Sequence, residues 1–427
     1  MTRRILLLPL LLTCCISIPA QVTLEQCIAL AIENYPLIKK YGLVKQTQDI
    51  NLSNINKSWL PQITVYGQGT IQNAVPSFPG TIAQLAGQTG THIQGLEKLQ
   101  YKAGIDLNQT IWDGGNSKAL RNIETAQHAE QQASLDVQLY AVKERVENLF
   151  FGILLTDEQI KQTEAMATLL QSNLDRLIAM NADGTATQSD ADMVEAQYLS
   201  TQQQLTQAKS ASHCYRKMLE LFIGKDTDGQ PLAKPEAIIP GDLYPDRPEQ
   251  QLYTAQMRAN EARSRYIRAS LMPRIGLFAQ SYYGYPGFDY FKSMMKRDLS
   301  LNLLAGIKIS WNIGSFYTQK NDIRKLILSS ENIRNEQDVF LFNTNLQTQS
   351  HTHRIDELRD VMKKDARIVE LRANVRKAAE SQLANGVIDA TGLLTKLTDE
   401  KQARLAAAYH EIQFLQSIYQ LKHTLNK

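Results

Sequence analysis

Aromatic residues are scarce. Only 7% of the 427 residues are Phe, Tyr or Trp, against 43% hydrophobic residues overall, and Gln, Ala and Leu are abundant. That balance suits long amphipathic helices better than one thick core built around large rings. Net charge is almost missing too, at +3, which argues against nucleic acid or another polyanion as a partner. After the first 20 positions no stretch of 18 uncharged apolar residues occurs, so no membrane-spanning helix is expected there. Cysteine is rare: beyond Cys14 and Cys15 only Cys27 and Cys214 remain. These two are read as separate, half-buried thiols rather than a pair. There is no Gly-rich phosphate loop, nucleophile elbow or Cys pair at metal spacing. His351 and His353 stand two apart on an expected helix and point about 200° away from each other, so they cannot share a metal and are expected in solvent. Neither catalysis nor a cofactor is expected, and the helical Asp and Glu residues read as solvated faces.

Arg3 and Arg4 precede an apolar run from Ile5 to Leu12 that ends near Ile18-Pro19-Ala20. This is the pattern of a secretory signal peptide over residues 1–20, with cleavage before Gln21. Cys14 and Cys15 lack the small flanking residues of a lipid-anchored cysteine.

Proline is also absent from Pro79 to Pro231, and a long helix fills much of that interval, from about Asn116 to Asn181. Leu135, Leu139, Val142, Val146, Leu149, Ile153, Ile160, Leu170, Leu174 and Leu177 fall on alternating steps of four and three, with Thr156, Thr163 and Ala167 completing the series. This is the seam of a coiled coil. At 1.5 Å per residue such a helix is a rod of roughly 100 Å, which must lie against other long helices. The rod recurs. Gly104-Ile105-Asp106-Leu107 is echoed by Gly306-Ile307-Lys308-Ile309, and Ala182-Asp183-Gly184 by Ala384-Asn385-Gly386, each 202 residues downstream. An internal duplication follows. The first repeat covers 21–225, with a β-hairpin at about 62–112 and a helical hairpin at 116–222. A Pro/Gly/Asp-rich linker at 226–247 leads to a second repeat over 248–427, with a β-hairpin at about 274–312 and a helical hairpin at 318–425.

Between the helices the periodicity falls to two. Ile63, Val65, Gly67, Gly69 and Ile71 alternate with polar residues; Tyr101, Ala103, Ile105, Leu107 and Ile111 form one face of a second strand. Ile275, Leu277, Ala279 and Tyr283 mark a third. Leu299, Leu301, Leu303, Ala305, Ile307, Ile309 and Trp311 mark a fourth, opposite Ser300, Asn302, Gly306, Lys308 and Ser310. Strands of this length with one apolar and one polar face are the pattern of a membrane β-barrel, with lipid on one side and water on the other. Trp59, Trp112 and Trp311 lie at helix–strand junctions, where an interfacial belt would collect them. Trp112 has the wrong parity for its strand's apolar face. Tyr282, Tyr283, Tyr285, Phe288, Tyr290 and Phe291, in a loop from Gly284 to Arg297 and the strand before it, are expected to form a second belt. Four strands fall short of the eight or so that a membrane barrel needs, so three chains are expected to close a trimeric 12-stranded barrel, continued by a periplasmic α-helical coiled-coil barrel.

Ile111-Trp112-Asp113-Gly114-Gly115 resembles the strand-ending Leu-Phe-Asp-Gly-Gly of the TolC-like outer membrane efflux proteins. The twofold repeat and the Gly-bearing helix tips support the likeness over nearly the whole chain, although Ile313-Gly314-Ser315-Phe316 departs from it. The resemblance implies a mixed α/β outer membrane channel-tunnel with helices in the periplasm. Its partners would be two further copies of itself, a periplasmic adaptor, a resistance-nodulation-division or ABC inner-membrane transporter, and outer membrane lipid. Adaptor contact is expected at the tips, Gly184, Thr185, Gly386, Val387 and Asp389. A resting gate is expected among nearby charges: Arg176, Asp183, Asp190, Arg372 and Arg376. Arg372 and Arg376 are four apart and can share a helix face. A secreted coiled-coil structural protein is the rival reading.

Overall fold

The computed structural model describes residues 21–88, 90 and 95–427; the expected signal peptide lies outside these residues. Thr23 opens α1 (Leu24–Asn34) with a capping box to Gln26. After a turn at Pro36, α2 (Lys39–Lys57) leads to β1 (Gln62–Ile71), α3 (Gly80–Gln88) and β2 (Leu99–Trp112). The long helix α4 (Asn116–Ala182) and its return α5 (Gln188–Ile223) follow. The same order then recurs: α6 (Pro248–Ala269), β3 (Arg274–Tyr285), α7 (Tyr290–Met295), β4 (Ser300–Ser310), α8 (Phe316–Ala384) and α9 (Ala390–Leu425). Two short helices had no periodic signal. α3 sits in the Gly- and Thr-rich loop, and α7 occupies part of the aromatic stretch read as a loop, into which β3 also extends as far as Tyr285.

Two compact units emerge. One comprises the chain up to Lys40, Leu135–Gln250 and Asp338–Lys427; the other comprises Tyr41–Ser134 and Gln251–Gln337. α4 and α8 each contribute to both.

In the first unit the expected seam of α4 is buried. Leu135, Leu139, Val142, Val146, Leu149, Ile153, Thr163, Leu170, Leu174 and Leu177 are all sequestered, and Ile160 and Thr156 are partly so. One core joins Val146, Phe150 and Ile153 to Leu24 and Cys27 of α1, Leu219 of α5, Ile355 of α8 and Ile418 of α9. The linker is held by the buried Arg216, which donates to Asp157 (2.5 Å) and to the carbonyls of Thr227 (2.9 Å) and Gln230 (2.8 Å). Cys27 is buried and Cys214 exposed, both as free thiols. His351 is half-buried, which lowers its pKa, so it is not a solvated residue like the exposed His353. Glu147 and Glu400 are also buried, unlike the solvated carboxylates expected on these helices.

The second unit carries one antiparallel sheet in the order β1-β2-β3-β4. Among the described residues no helix is long and apolar enough to cross a membrane.

Candidate functional site

Strand register decides what each face of the sheet presents. Ile63 lies opposite Leu107 and Val65 opposite Ile105; Leu107 in turn faces Ala279, and Leu277, Tyr283 and Ile275 face Ile307, Leu301 and Ile309. Side chains directly opposite each other share a face, so the four apolar sets merge into one surface. That surface is uncovered: Val65 is 76%, Leu301 75% and Ile307 70% exposed. Water would penalise it at about 25 cal/mol per Å², whereas lipid would not. Gln109 is a polar member of this face, and its amide donates to the Trp59 carbonyl. The opposite face carries Gln62, Thr64, Gln68, Lys102, Asp106, Asn108, Gln280, Asn302 and Lys308, with Phe278 and Leu304 as apolar members. β1 and β4 each keep one edge unpaired within the chain.

A bulge settles the orientation of Trp112. Thr110 pairs with Gly276 and Trp112 with Ile275, so Ile111 is an extra residue in β2. The extra residue shifts the alternation by one and returns Trp112 to the face of Ile105, against the parity of the sequence. Trp112 and Trp311 are both largely exposed, and Trp311 Nε1 donates to the Leu271 carbonyl at 2.8 Å. Trp59, half-buried, precedes β1. Strand directions put all three at the helix-bearing end of the sheet. At the other end Tyr283, Phe288, Tyr290 and Phe291 are exposed, but Tyr282 and Tyr285 are buried and drop out of the expected belt. Tyr285 packs on Leu96 and Met294 and donates to the Ser293 carbonyl.

The Trp-Asp-Gly-Gly corner has a physical reason for each residue. Asp113 accepts the amides of Gly115 (2.9 Å) and Ser117 (2.6 Å), satisfying donors in the first turn of α4. Burial works against the charged carboxylate, yet the bonds from Ser117 and Gly115 outweigh it and hold its pKa below the usual value. Gly114 (φ 70°) leaves room for nothing larger: a Cβ there would stand 2.4 Å from Met272 Cβ.

In the other unit the helix tips converge. α4 ends on Gly184 (φ 72°), with the Thr185 amide on the Met180 carbonyl at 2.9 Å; α8 ends on Gly386 (φ 69°), with the Val387 amide on the Gln382 carbonyl at 2.8 Å. Both are Schellman-type closures, in which a left-handed Gly satisfies the last carbonyls. Leu174, Leu177, Val194, Leu383, Leu393 and Leu397 bury the two hairpin ends in one cluster. Gly184, Thr185 and Val387 are exposed at the surface. Asp190 closes a capping box with Thr187, whose bonds, chiefly the Thr187 hydroxyl, lower its pKa. Asp389 caps α9 through the Gly392 amide at 2.8 Å.

Arg176 and Asp183 are exposed, whereas Arg372 and Arg376 both reach α9: Arg372 donates to Asp399 (2.7 Å), and Arg376 to Glu400 (2.5 Å) and to Glu380 of its own helix (2.7 Å). Arg404 closes the group by donating to Glu400 at 2.7 Å. Glu400, 4% exposed, is the centre of this network. Its place four residues before Arg404 in the sequence was the available signal, since an i,i+4 pair of this kind marks one helix face.

Residues 44–224 match the family model described as outer membrane efflux protein. Over that segment the chain is similar to outer membrane efflux proteins. The match places the chain in the outer membrane and in efflux. No curated protein matches the sequence. Solved structures similar to this chain include a membrane protein from Pseudomonas aeruginosa (TM-score 0.69, 14% identity, covering 94% of this chain and 90% of that one). The outer membrane protein VceC of Vibrio cholerae (TM-score 0.69, 11% identity, 94% and 95%) and the open-state MtrE outer membrane channel of Neisseria gonorrhoeae (TM-score 0.68, 13% identity, 94% and 88%) are alike to the same degree. At these identities the likeness establishes the fold, long helices joined to a small antiparallel sheet.

Proposed function

We propose that this chain is the outer membrane channel-tunnel of a tripartite efflux or type I secretion system, passing small molecules or protein from an inner-membrane transporter to the exterior. One observation carries the reading: a four-stranded sheet with a continuous exposed apolar face, a polar face opposite and two unpaired edges. Backbone groups left open in lipid cost several kcal/mol each, and four strands cannot close on themselves. Three copies supply twelve strands, enough for a water-filled barrel, and the long helices then continue its wall into the periplasm. The element order that recurs from α6 onward supports an internal duplication.

The tips around Gly184, Thr185, Gly386, Val387 and Asp389 are the docking place for a periplasmic adaptor, which links the channel to a transporter of the resistance-nodulation-division or ABC type. The charges near them, Arg176, Asp183, Asp190, Arg372 and Arg376, hold the resting tunnel shut. In this reading the bonds of Arg372 and Arg376 to Asp399 and Glu400 fasten α8 to α9 in each chain, and docking must loosen them.

The test combines paired cysteines, one on β1 and one on β4, with gel analysis of outer membrane fractions. Heat-modifiable trimers linked between chains are expected. Monomers soluble without detergent would instead favour a secreted coiled-coil protein, a reading that leaves the apolar sheet face in water.

A further inference from the structure

The polar face of the sheet is not electrically neutral. By strand register it carries Lys102 on β2, Arg274 on β3 and Lys308 on β4, against a single carboxylate, Asp106 on β2. None of the four has an ion-pair partner among the described residues, and Asp106 Oδ1 has no hydrogen-bond partner either. Glu97 and Arg297 at the loop end cancel each other at 2.7 Å. Lys102 is fixed in place, its ammonium 5.9 Å from the Tyr66 ring and 5.3 Å from the Tyr282 ring, both on the same face. Aromatic faces hold a cation without neutralising it. Lys308 is exposed and lines the same 260 Å³ hollow as Asp106, Asn108 and Gln280.

We infer that this face makes the barrel prefer anionic solutes, with Lys102 and Lys308 as the residues that set the preference. The inference rests on the proposed channel, in which the polar face lines the lumen. Each unpaired cation becomes a ring of three there, and rings of like charge select the opposite ion. Low-dielectric walls focus the field of such rings along the pore. The cations lie at separate levels: Lys102 pairs across with Gly284 near the loops, Lys308 with Gly276 and Arg274 with Ser310 near the helices, and Asp106 with Gln280 between the two lysines. One acidic ring against three basic ones lowers the local potential without reversing the net sign.

The experiment is the reversal potential of the full chain in planar bilayers under a KCl gradient, in the wild type and in an Arg372→Ala, Arg376→Ala background. Chloride preference is expected, falling about twofold or more in Lys102→Gln with Lys308→Gln and rising in Asp106→Asn. Conductance with one reversal potential in all variants, or potassium preference in the unsubstituted sheet, overturns the inference while leaving the channel standing. No conductance in either background removes the channel reading itself, and this inference with it.

Discussion

Glu147 of α4 is a carboxyl in the wrong medium. Burial foremost, opposed by Lys143 and assisted by Glu144, raises its pKa to about 8. Across the helices it meets Lys422, whose charge opposes the rise, and His423 of α9, whose Nδ1 lies 3.9 Å from the carboxylate and which burial, with Arg247, Lys143 and His351, lowers to about 4. Tyr140 stacks on His423 at 4.4 Å and Arg247 covers Tyr140. The folded chain therefore binds the Glu147 proton more tightly than the unfolded chain, so stability falls as pH rises from the ordinary carboxyl range to about 8. His423 acts with the opposite sign, costing stability as pH falls from the ordinary imidazole range to about 4. Glu147→Gln should flatten the alkaline limb of Tm against pH and leave the acid limb; an unchanged alkaline limb would show that Glu147 ionises freely in the fold. At the tips, Gly184→Ala and Gly386→Ala meet no atom within 4 Å, so their cost is conformational alone, about 1 kcal/mol each in urea unfolding. Asp389→Ala should cost a similar ~1 kcal/mol through the lost cap. The glycines could be read from the sequence because they end a helical period. The buried state of Glu147 could not, because a Glu on a heptad repeat looks the same whether its face meets solvent or a fourth helix.

Among the elements, β4 offers the sharpest test of orientation. Leu303→Arg places a charge on the apolar face and should cost about 2 to 4 kcal/mol near the bilayer midplane, seen as lost insertion into outer membrane fractions. Asn302 is an unsuitable control, since its side chain is buried, accepts the Phe288 amide at 2.7 Å and donates to Ser300. Thr64→Arg, on the exposed polar face of β1, should insert normally; equal loss in both variants would refute the assignment of faces. Strands and long helices were legible because each has one dominant period over ten residues or more, and the structure places their ends close to the expected positions. α3 and α7 are too short to show a period, and the bulge at Ile111 leaves no trace in composition, which is why the parity of Trp112 misled. The buried positions of Tyr282 and Tyr285 depend on the loops folding over them, a tertiary effect that alternation cannot report.

For the whole molecule, the network of Arg372, Arg376, Glu400 and Arg404 is where mechanics can be measured. Arg372→Ala with Arg376→Ala removes three bonds, two of them between α8 and α9; the two partly buried bonds of Arg376 are worth about 1 to 3 kcal/mol each, the exposed Arg372–Asp399 pair at most about 1 kcal/mol. Single-channel conductance should rise above that of the wild type; an unchanged record would put the gate elsewhere. Crosslinkers at Thr185 or Val387 should trap the adaptor in cells, and absence of product at every tip position would count against docking there.

The two unpaired strand edges also have a genetic consequence. In the proposed trimer the barrel closes only when every edge finds its neighbour, so one defective subunit would spoil the two sound ones beside it. Alleles that block pairing along β1 or β4 should therefore be dominant when co-expressed with the wild type, whereas alleles that merely unfold the chain before assembly should be recessive.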